Sequence, residues 1–307
     1  QPSFPAIRKS HESRSLMFKE TLEQLFEYVA QHIPSEQIMV AKNEYQKTTG
    51  EIYEDDKSYN ARMALFLEWY LLDQYEPGTH HTILENIIEQ NSLSWAPERL
   101  EAYRNISNNI QALFEVRKVR DNSVTVLDLF TDEKYQVEEE DSKLAFRKND
   151  VFQGRIVPHQ DKYFFTGYFC FHPSKTQRYI KGETKKIYLL QRTWKKELKK
   201  FEKELAKIQK TYLKNSKSIE KIKTKIERTD LGKKRDELTG ELFGLEENKA
   251  KIEISAQQKE REMENLKQEK IKIEGRRLIS ELVNRLAYMN LKWERSRQID
   301  ISDIYKN

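Results

Sequence analysis

A single cysteine, Cys170, stands among 307 residues. One thiol excludes intrachain disulfides and any zinc site built from several cysteines, and it fits a reducing compartment, so a cytoplasmic location is expected. No apolar run approaches the roughly 20 residues that a bilayer span requires, so no membrane span is expected, and Gln1 to Ser10 lacks the basic-then-apolar order of a signal segment. The first residue is not Met, which leaves room for a segment removed upstream. Glycine is scarce, at nine, and never falls in GxGxxG or GxxxxGK[ST] order, so the glycine-rich phosphate cradle is absent. The histidines are His11, His32, His80, His81, His159 and His172. No two histidines stand at the HExxH kind of helical spacing from each other, and they read as surface polar residues. Cys170, inside Tyr168-Phe169-Cys170-Phe171, reads as a small buried hydrophobe. The acidic run Glu138 to Asp141 reads as a solvated loop, since a metal-dependent nuclease needs carboxylates converging from separate elements. No catalytic residue, metal or cofactor is therefore assigned.

The chain is rich in charge, with 34% Asp, Glu, Lys and Arg against 37% hydrophobic residues, whereas a typical soluble domain carries about 25% and 45–50%. Such a balance excludes one round domain and points to long exposed helix. Aromatics at 11% argue against disorder, because they supply the apolar groups that offset chain entropy.

Charge and aromatics are unevenly divided. Residues 1–180 carry 21 basic and 28 acidic side chains with 25 of the 33 aromatics, and residues 181–307 carry 34 basic and 22 acidic. The first part, residues 1–112, reads as a helical region: Ser15 to Gln31, Tyr59 to Gln74, Thr82 to Ile88 and Pro97 to Phe114 have helical apolar spacing. Ser94 is the expected start signal of the last of these, Pro77-Gly78 a break, and Ala41 to Lys57 a polar loop. Over residues 113–173 the period changes to two, in five short runs: Phe114 to Arg120, Val124 to Phe130, Lys134 to Glu138, Val151 to Val157 and Tyr163 to Phe171. Five strands at this spacing predict a small closed β-barrel of the SH3 or OB kind.

Residues 183–277 carry heptads. Trp194, Leu198, Phe201, Leu205, Ile208, Tyr212, Asn215, Ile219, Ile222 and Ile226 alternate spacings of four and three, the seam of a coiled coil. A second seam runs Leu238, Leu242, Leu245, Lys249, Ile252, Ala256, Lys259, Met263, Leu266, Lys270 and Ile273. The break near 229–236, around Thr229 to Lys234, predicts an antiparallel hairpin with its tip there, a rod roughly 60 Å long at 1.5 Å per residue. The competing arrangement is one continuous helix that pairs in parallel as a homodimer. A last helix over 278–307, with Leu278, Leu282, Leu286, Met289 and Trp293 on a wide apolar face, is expected to return to the globular base. The fold class is thus α+β: a helical N-terminal region, a small five-stranded SH3/OB-like barrel and a long antiparallel coiled-coil hairpin.

Two surfaces are candidates for binding. Outward heptad positions of the first arm carry Lys196, Lys199, Lys200, Lys203, Lys207, Lys210, Lys214, Lys217 and Lys221 with one acid, Glu220. Lysines at repeated spacing can neutralise phosphates and release counterions; the other reading is a solvated face partly neutralised by the second arm. The barrel offers Arg117, Lys118, Arg120, Arg147, Lys148 and Arg155 near Tyr135, Phe152, Tyr163, Phe165 and Tyr168, a mixture used for stacking on single strands. Core packing is the preferred reading for most of those aromatics, since a barrel this small must fill its inside with large side chains. No motif reads bases, so such binding would be led by charge or shape.

Four segments, Phe66-Leu67-Glu68-Trp69-Tyr70-Leu71-Leu72-Asp73, Leu113-Phe114-Glu115-Val116, Val126-Leu127-Asp128-Leu129-Phe130-Thr131 and Asn149-Asp150-Val151-Phe152-Gln153-Gly154-Arg155, carry a further signal. Residues 58–172 here resemble uncharacterised bacterial helical-plus-barrel proteins, some of which carry a SEC-C zinc motif. The resemblance implies the fold more than an activity, and this chain lacks the SEC-C cysteines. The expected function is a non-enzymatic scaffold or adaptor that engages a protein partner through the coiled-coil arm. The alternative is a nucleic-acid- or ribosome-associated protein that binds RNA or DNA through the lysines and the barrel.

Overall fold

The computed structural model describes residues 12–56, 58–139, 142–296 and 298–306, with side chains from residue 20 onward. His11, Gln1 to Ser10, the Leu16 side chain, Lys57, Asp141 and Asn307 therefore lie outside the described residues. The chain forms two compact units, one of residues up to Leu189 together with Gly275 onward, the other of Leu190–Glu274.

The first unit opens with helices α1 (Glu12–His32), α2 (Ser35–Thr49), α3 (Tyr59–Asp73), α4 (Ile83–Gln90) and α5 (Pro97–Ser107). Helix α2 replaces the polar loop expected after Ala41. Ala41, Tyr45 and Thr49 recur every four residues and are its buried stripe, too sparse a pattern to stand out among its polar neighbours. It ends at Gly50, whose φ of +77° lies in the left-handed region, and whose amide donates to Gln46 O at 2.8 Å. Helix α3 buries Phe66, Trp69, Tyr70, Leu71 and Leu72 on almost every side, because helices surround it. Thr82 caps α4 reciprocally: Glu85 N donates to Thr82 Oγ1 at 3.3 Å, and Thr82 N to Glu85 Oε2 at 2.7 Å, the threonine-x-x-glutamate box. Helix α5 starts at Pro97 behind Ala96, not Ser94, which donates to Asn91 O. It also stops seven residues before Phe114, because Asn108 and Asn109 break it and a strand takes over.

Strands follow as β1 (Ile110–Val119), β2 (Ser123–Asp128), β3 (Lys134–Glu138), β4 (Val151–His159), β5 (Lys162–Phe165) and β6 (Cys170–His172), with a short helix α6 (Ser142–Ala145) between β3 and β4. The last expected run thus splits into two strands at Gly167, φ +97°. The order is β1-β2-β3-β5-β4-β6, and β1 pairs with β4 as well as β2. Closure is uneven: β3 meets β5, in parallel, only at Val137–Tyr163 and Glu138–Phe164. Phe114, Phe146, Phe152 and Phe165 form one aromatic cluster inside, with centroids 5.1–6.5 Å apart. Tyr135, Phe152 and Phe165 are buried there, as core packing requires, and are not displayed for stacking on a ligand. A sheet this small has no other way to fill its interior.

Helix α7 (Gln177–Glu227) begins in this unit, and α9 (Gly275–Arg295) and α10 (Ile301–Ile304) complete it. Ile180, Leu282, Val283, Leu286, Ile301 and Tyr305 are buried in the core of the sheet, with Met289 and Trp293 packed against it. His172, expected at the surface, is buried with Nδ1 3.2 Å from Tyr305 Oη. Burial alone lowers its pKa to about 4, and its ring stays neutral.

In the second unit, α7 runs against α8 (Lys233–Asn265), which continues as a π-helical stretch, Leu266–Glu274. Partners rise along one helix as they fall along the other: Glu204 pairs with Lys259 at 3.2 Å, Tyr212 lies under Lys249 at 5.2 Å, and Lys223 pairs with Glu246 at 2.9 Å, while Asn215 Nδ2 donates to Leu245 O at 2.9 Å. The two helices are therefore antiparallel. Leu205, Asn215, Ile219 and Ile222 are buried between them. Two seam lysines serve as lids on aromatic rings, Lys249 over Tyr212 at 5.2 Å and Lys259 over Phe201 at 4.8 Å. Lys270, placed in the seam by its heptad, is exposed instead, because a π turn takes more residues than an α turn and shifts the register. Among the described residues no helix is long and apolar enough to cross a membrane.

Candidate functional site

The lysine face follows from helix geometry. With the seam turned toward α8, the remaining heptad positions of α7 face water, and all nine predicted lysines, from Lys196 to Lys221, are exposed. Among the described residues none of the nine takes part in an ion pair; the acids that bridge the helices, Glu204 and Glu246, are taken by Lys259 and Lys223. None of the nine is therefore held in a contact ion pair with the second helix. The face is also self-repelling, since like charges three or four apart on a helix cost about 0.2–0.5 kcal/mol per pair. An anion laid along it would remove that cost.

On the sheet, the predicted basic group divides. Arg117 occupies the register shift between Val116 and Lys118 and pairs with Glu115 at 3.2 Å. Arg120 reaches Gln136 Oε1 at 3.5 Å. The turn carrying Arg147 and Lys148 is tied to the same end of β1, with Asn149 N donating to Val116 O at 2.9 Å. Lys118, Arg120, Arg147 and Lys148 are therefore exposed together at one end of the sheet.

Arg155 is the exception and a correction: it is 3% exposed. Position 155 lies among inward and outward neighbours that are all buried, because α3 and α5 cover the outer face of β4 there. Its Nη1 donates to Asp73 Oδ1 at 3.1 Å and Asn109 Oδ1 at 2.8 Å, Nη2 pairs with Asp73 Oδ2, and Nε lies 3.2 Å from Glu68 Oε2. Arg276 of α9 adds Nε to Asp73 Oδ1 and Nη2 to Asn109 Oδ1, both at 2.9 Å. Two guanidiniums and two carboxylates thus join α3, β4 and α9. Their donors are spent on one another, which suits a clasp more than a binding site. Burial lifts the Glu68 pKa to about 7, although Arg155 acts the other way. Sequence inspection could have found this cluster through Glu68 and Asp73, two charges on a helix that is otherwise apolar.

Cys170 carries a thiol that burial pushes up to about 12, with Asn290 Nδ2 3.6 Å from its sulfur. It is held as a protonated thiol, not as a nucleophile. Among the described residues no group of three or more His, Cys, Asp or Glu could hold a metal ion.

A family model, described as a family of unknown function (DUF7986), matches residues 15–218. That range contains helices α2 to α6 with most of α1, the sheet, and α7 up to residue 218. No curated protein and no solved structure matches the chain.

Proposed function

For this chain, which belongs to the DUF7986 family, we propose a non-enzymatic role in binding nucleic acid through the lysine face of α7. One observation carries the reading: nine exposed lysines on successive turns have no acidic partner among the described residues. The α7–α8 pair is read as a coiled-coil hairpin, and the sheet as an OB-like barrel, a reading supported by the order β1-β2-β3-β5-β4 with a return to β1. Lys118, Arg120, Arg147 and Lys148 are a second, smaller phosphate contact. Recognition is by charge and shape, in the cytoplasm, and a bacterial origin goes with the resemblance over residues 58–172. A SEC-C-like zinc role is not part of the proposal, since Cys170 is the sole thiol.

The test is a salt titration of RNA and duplex DNA binding by the purified chain. Tight binding at low salt with log K falling steeply against log salt, by about 0.9 per phosphate neutralised on duplex DNA, is expected. Undetectable binding at low salt would overturn the reading. A protein scaffold is then the next reading, favoured by apolar side chains exposed on the helix pair: Leu213 at 60%, Ile254 at 66% and Phe243 at 71%.

A further inference from the structure

Between α1 and α5 lies an open cavity of about 610 Å³, a volume within the usual range for small-molecule sites. Its wall is aromatic. Tyr28 and His32, one turn apart on α1, stack with centroids 4.0 Å apart and planes 13° from parallel. Trp95 meets Tyr28 edge-on at 5.0 Å and Tyr103 at 5.2 Å. Against these rings lies Arg99, its Cζ 4.3 Å from the Trp95 centroid and 5.4 Å from that of Tyr103.

What sets Arg99 apart is its lack of an acceptor. Among the described residues it forms no ion pair and no hydrogen bond, and its Nε is buried without a partner. A buried guanidinium nitrogen left unpaired costs on the order of 1–3 kcal/mol, and a guanidinium seated over a tryptophan ring offers the fork geometry that suits a two-oxygen ligand. Helix α5 adds to this, because its N-cap is Ala96, which offers no side-chain acceptor to the first-turn amides. Arg99 and the first turn of α5, the positive end of its dipole, therefore lie beside the cavity. Beside them, the outer face of the exposed His32 ring continues the Tyr28 stack. His32 Nδ1 donates to Tyr28 O at 2.9 Å, which fixes the ring. Glu27 and Glu98 also line the cavity, where they can accept hydrogen bonds from exocyclic amino groups, as carboxylates do from cytosine.

We propose that this cavity is a nucleotide site, in which a base bearing an amino group stacks on His32 and its phosphate is held by the Arg99 fork. The ligand is a nucleoside monophosphate, free or as the phosphorylated end of a single strand. The site is independent of the lysine face, since it lies on other residues and needs one phosphate.

The experiment is calorimetric titration of the whole chain with AMP, UMP and a 5′-phosphorylated tetra-adenylate at physiological salt. AMP is expected to bind, and more tightly than UMP. Arg99→Lys, which keeps the charge and loses the fork, is expected to weaken AMP about tenfold or more. His32→Ala touches an exposed ring, so folding is spared, and it is expected to weaken AMP while a melting curve stays in place. Tetra-adenylate binding more tightly than AMP assigns the site to strand ends, and equal binding assigns it to the free nucleotide. No heat with AMP up to about 10 mM, a concentration that would reveal even a millimolar site, overturns the proposal. So does AMP binding that neither Arg99→Lys nor His32→Ala changes.

Discussion

Arg155 on β4 and Asp73 at the end of α3 form a two-contact ion pair in which both side chains are almost wholly withdrawn from water, 3% and 0% exposed. Such a pair resists removal of one partner far more than removal of both, because the survivor keeps its burial and loses its compensation. Arg155→Met should cost about 3–5 kcal/mol in urea unfolding, and adding Asp73→Leu to it should return part of that loss. A single-variant loss below about 1 kcal/mol would show that the clasp does not hold these elements together.

Glu68, beside the same guanidinium, sets a pH dependence. Burial raises it to about 7 from an ordinary 4.5, so between those values the folded chain keeps a proton that the unfolded chain has released. Its contribution is present below about 4.5 and is lost as pH rises through about 7. Asp128, raised by burial to about 6, acts in the same direction. His172 acts oppositely: lowered to about 4, it costs stability as pH falls from 6.5 toward 4. Glu68→Gln keeps the shape and removes one titration. Its melting temperature relative to the parent should rise steadily from about pH 5 to 7.5; an offset that stays constant over that range would count against a shifted Glu68.

Reversing Lys203, Lys207, Lys210 and Lys214 to Glu should abolish most binding to RNA and DNA and flatten the salt slope by about 0.7–0.9 for each phosphate that is no longer neutralised. The helix itself should melt no earlier, since the four glutamates repel one another as the lysines did while gaining opposite-charge neighbours in Lys199, Lys200 and Lys217. Unchanged slopes would remove the lysine face from consideration.

Those lysines were legible because heptads are strictly periodic: once Trp194 to Ile226 are aligned as a seam, the outward positions follow without a structure. The strands were legible as well, apart from the interruption at Gly167. Helix α2 was not, because three buried residues in fifteen carry its whole apolar stripe. Arg155 was misplaced for another reason. Alternation along a strand assigns one side to water, and β4 has helices over the side that should have been wet. The Arg99 cavity was not read from the sequence, since the four-residue pairs Tyr28/His32 and Trp95/Arg99 lie more than sixty residues apart and nothing in the pattern says that they meet.

Gly50 should tolerate no side chain. A Cβ there would stand 2.6 Å from the Tyr288 ring of α9, and the backbone φ of +77° is itself unfavourable to alanine. Gly50→Ala is expected to destabilise by about 2–4 kcal/mol, the sum of a strained backbone and a steric clash. Combining it with Tyr288→Ala should remove the clash alone, and thermal unfolding of the pair would separate the two contributions.

Asn215 is the one polar residue in the α7 seam, 7% exposed, with its amide bonded to Leu245 O. Asn215→Leu should raise the melting temperature while weakening the register, since an apolar seam pairs equally well when shifted by a heptad. Light scattering should then show additional oligomers. A lower melting temperature with a single monomeric species would mean that Asn215 contributes stability and not register.

The core of the sheet is finished by Leu282, Val283 and Leu286, which leave the ribosome on the order of a hundred residues after the last strand, at common rates a delay of about 5–20 s. During that interval the interior lies open along the face that α9 will cover. Folding of Leu190–Glu274 meanwhile changes the geometry of the wait: a slack loop of that length would cost entropy to close, whereas two helices zipped antiparallel bring Leu189 and Gly275 together before either is needed. The helix pair thus acts during synthesis as a tether that shortens the search, and a chain whose pair is weakened should linger in chaperone-bound form even where its final melting temperature is normal.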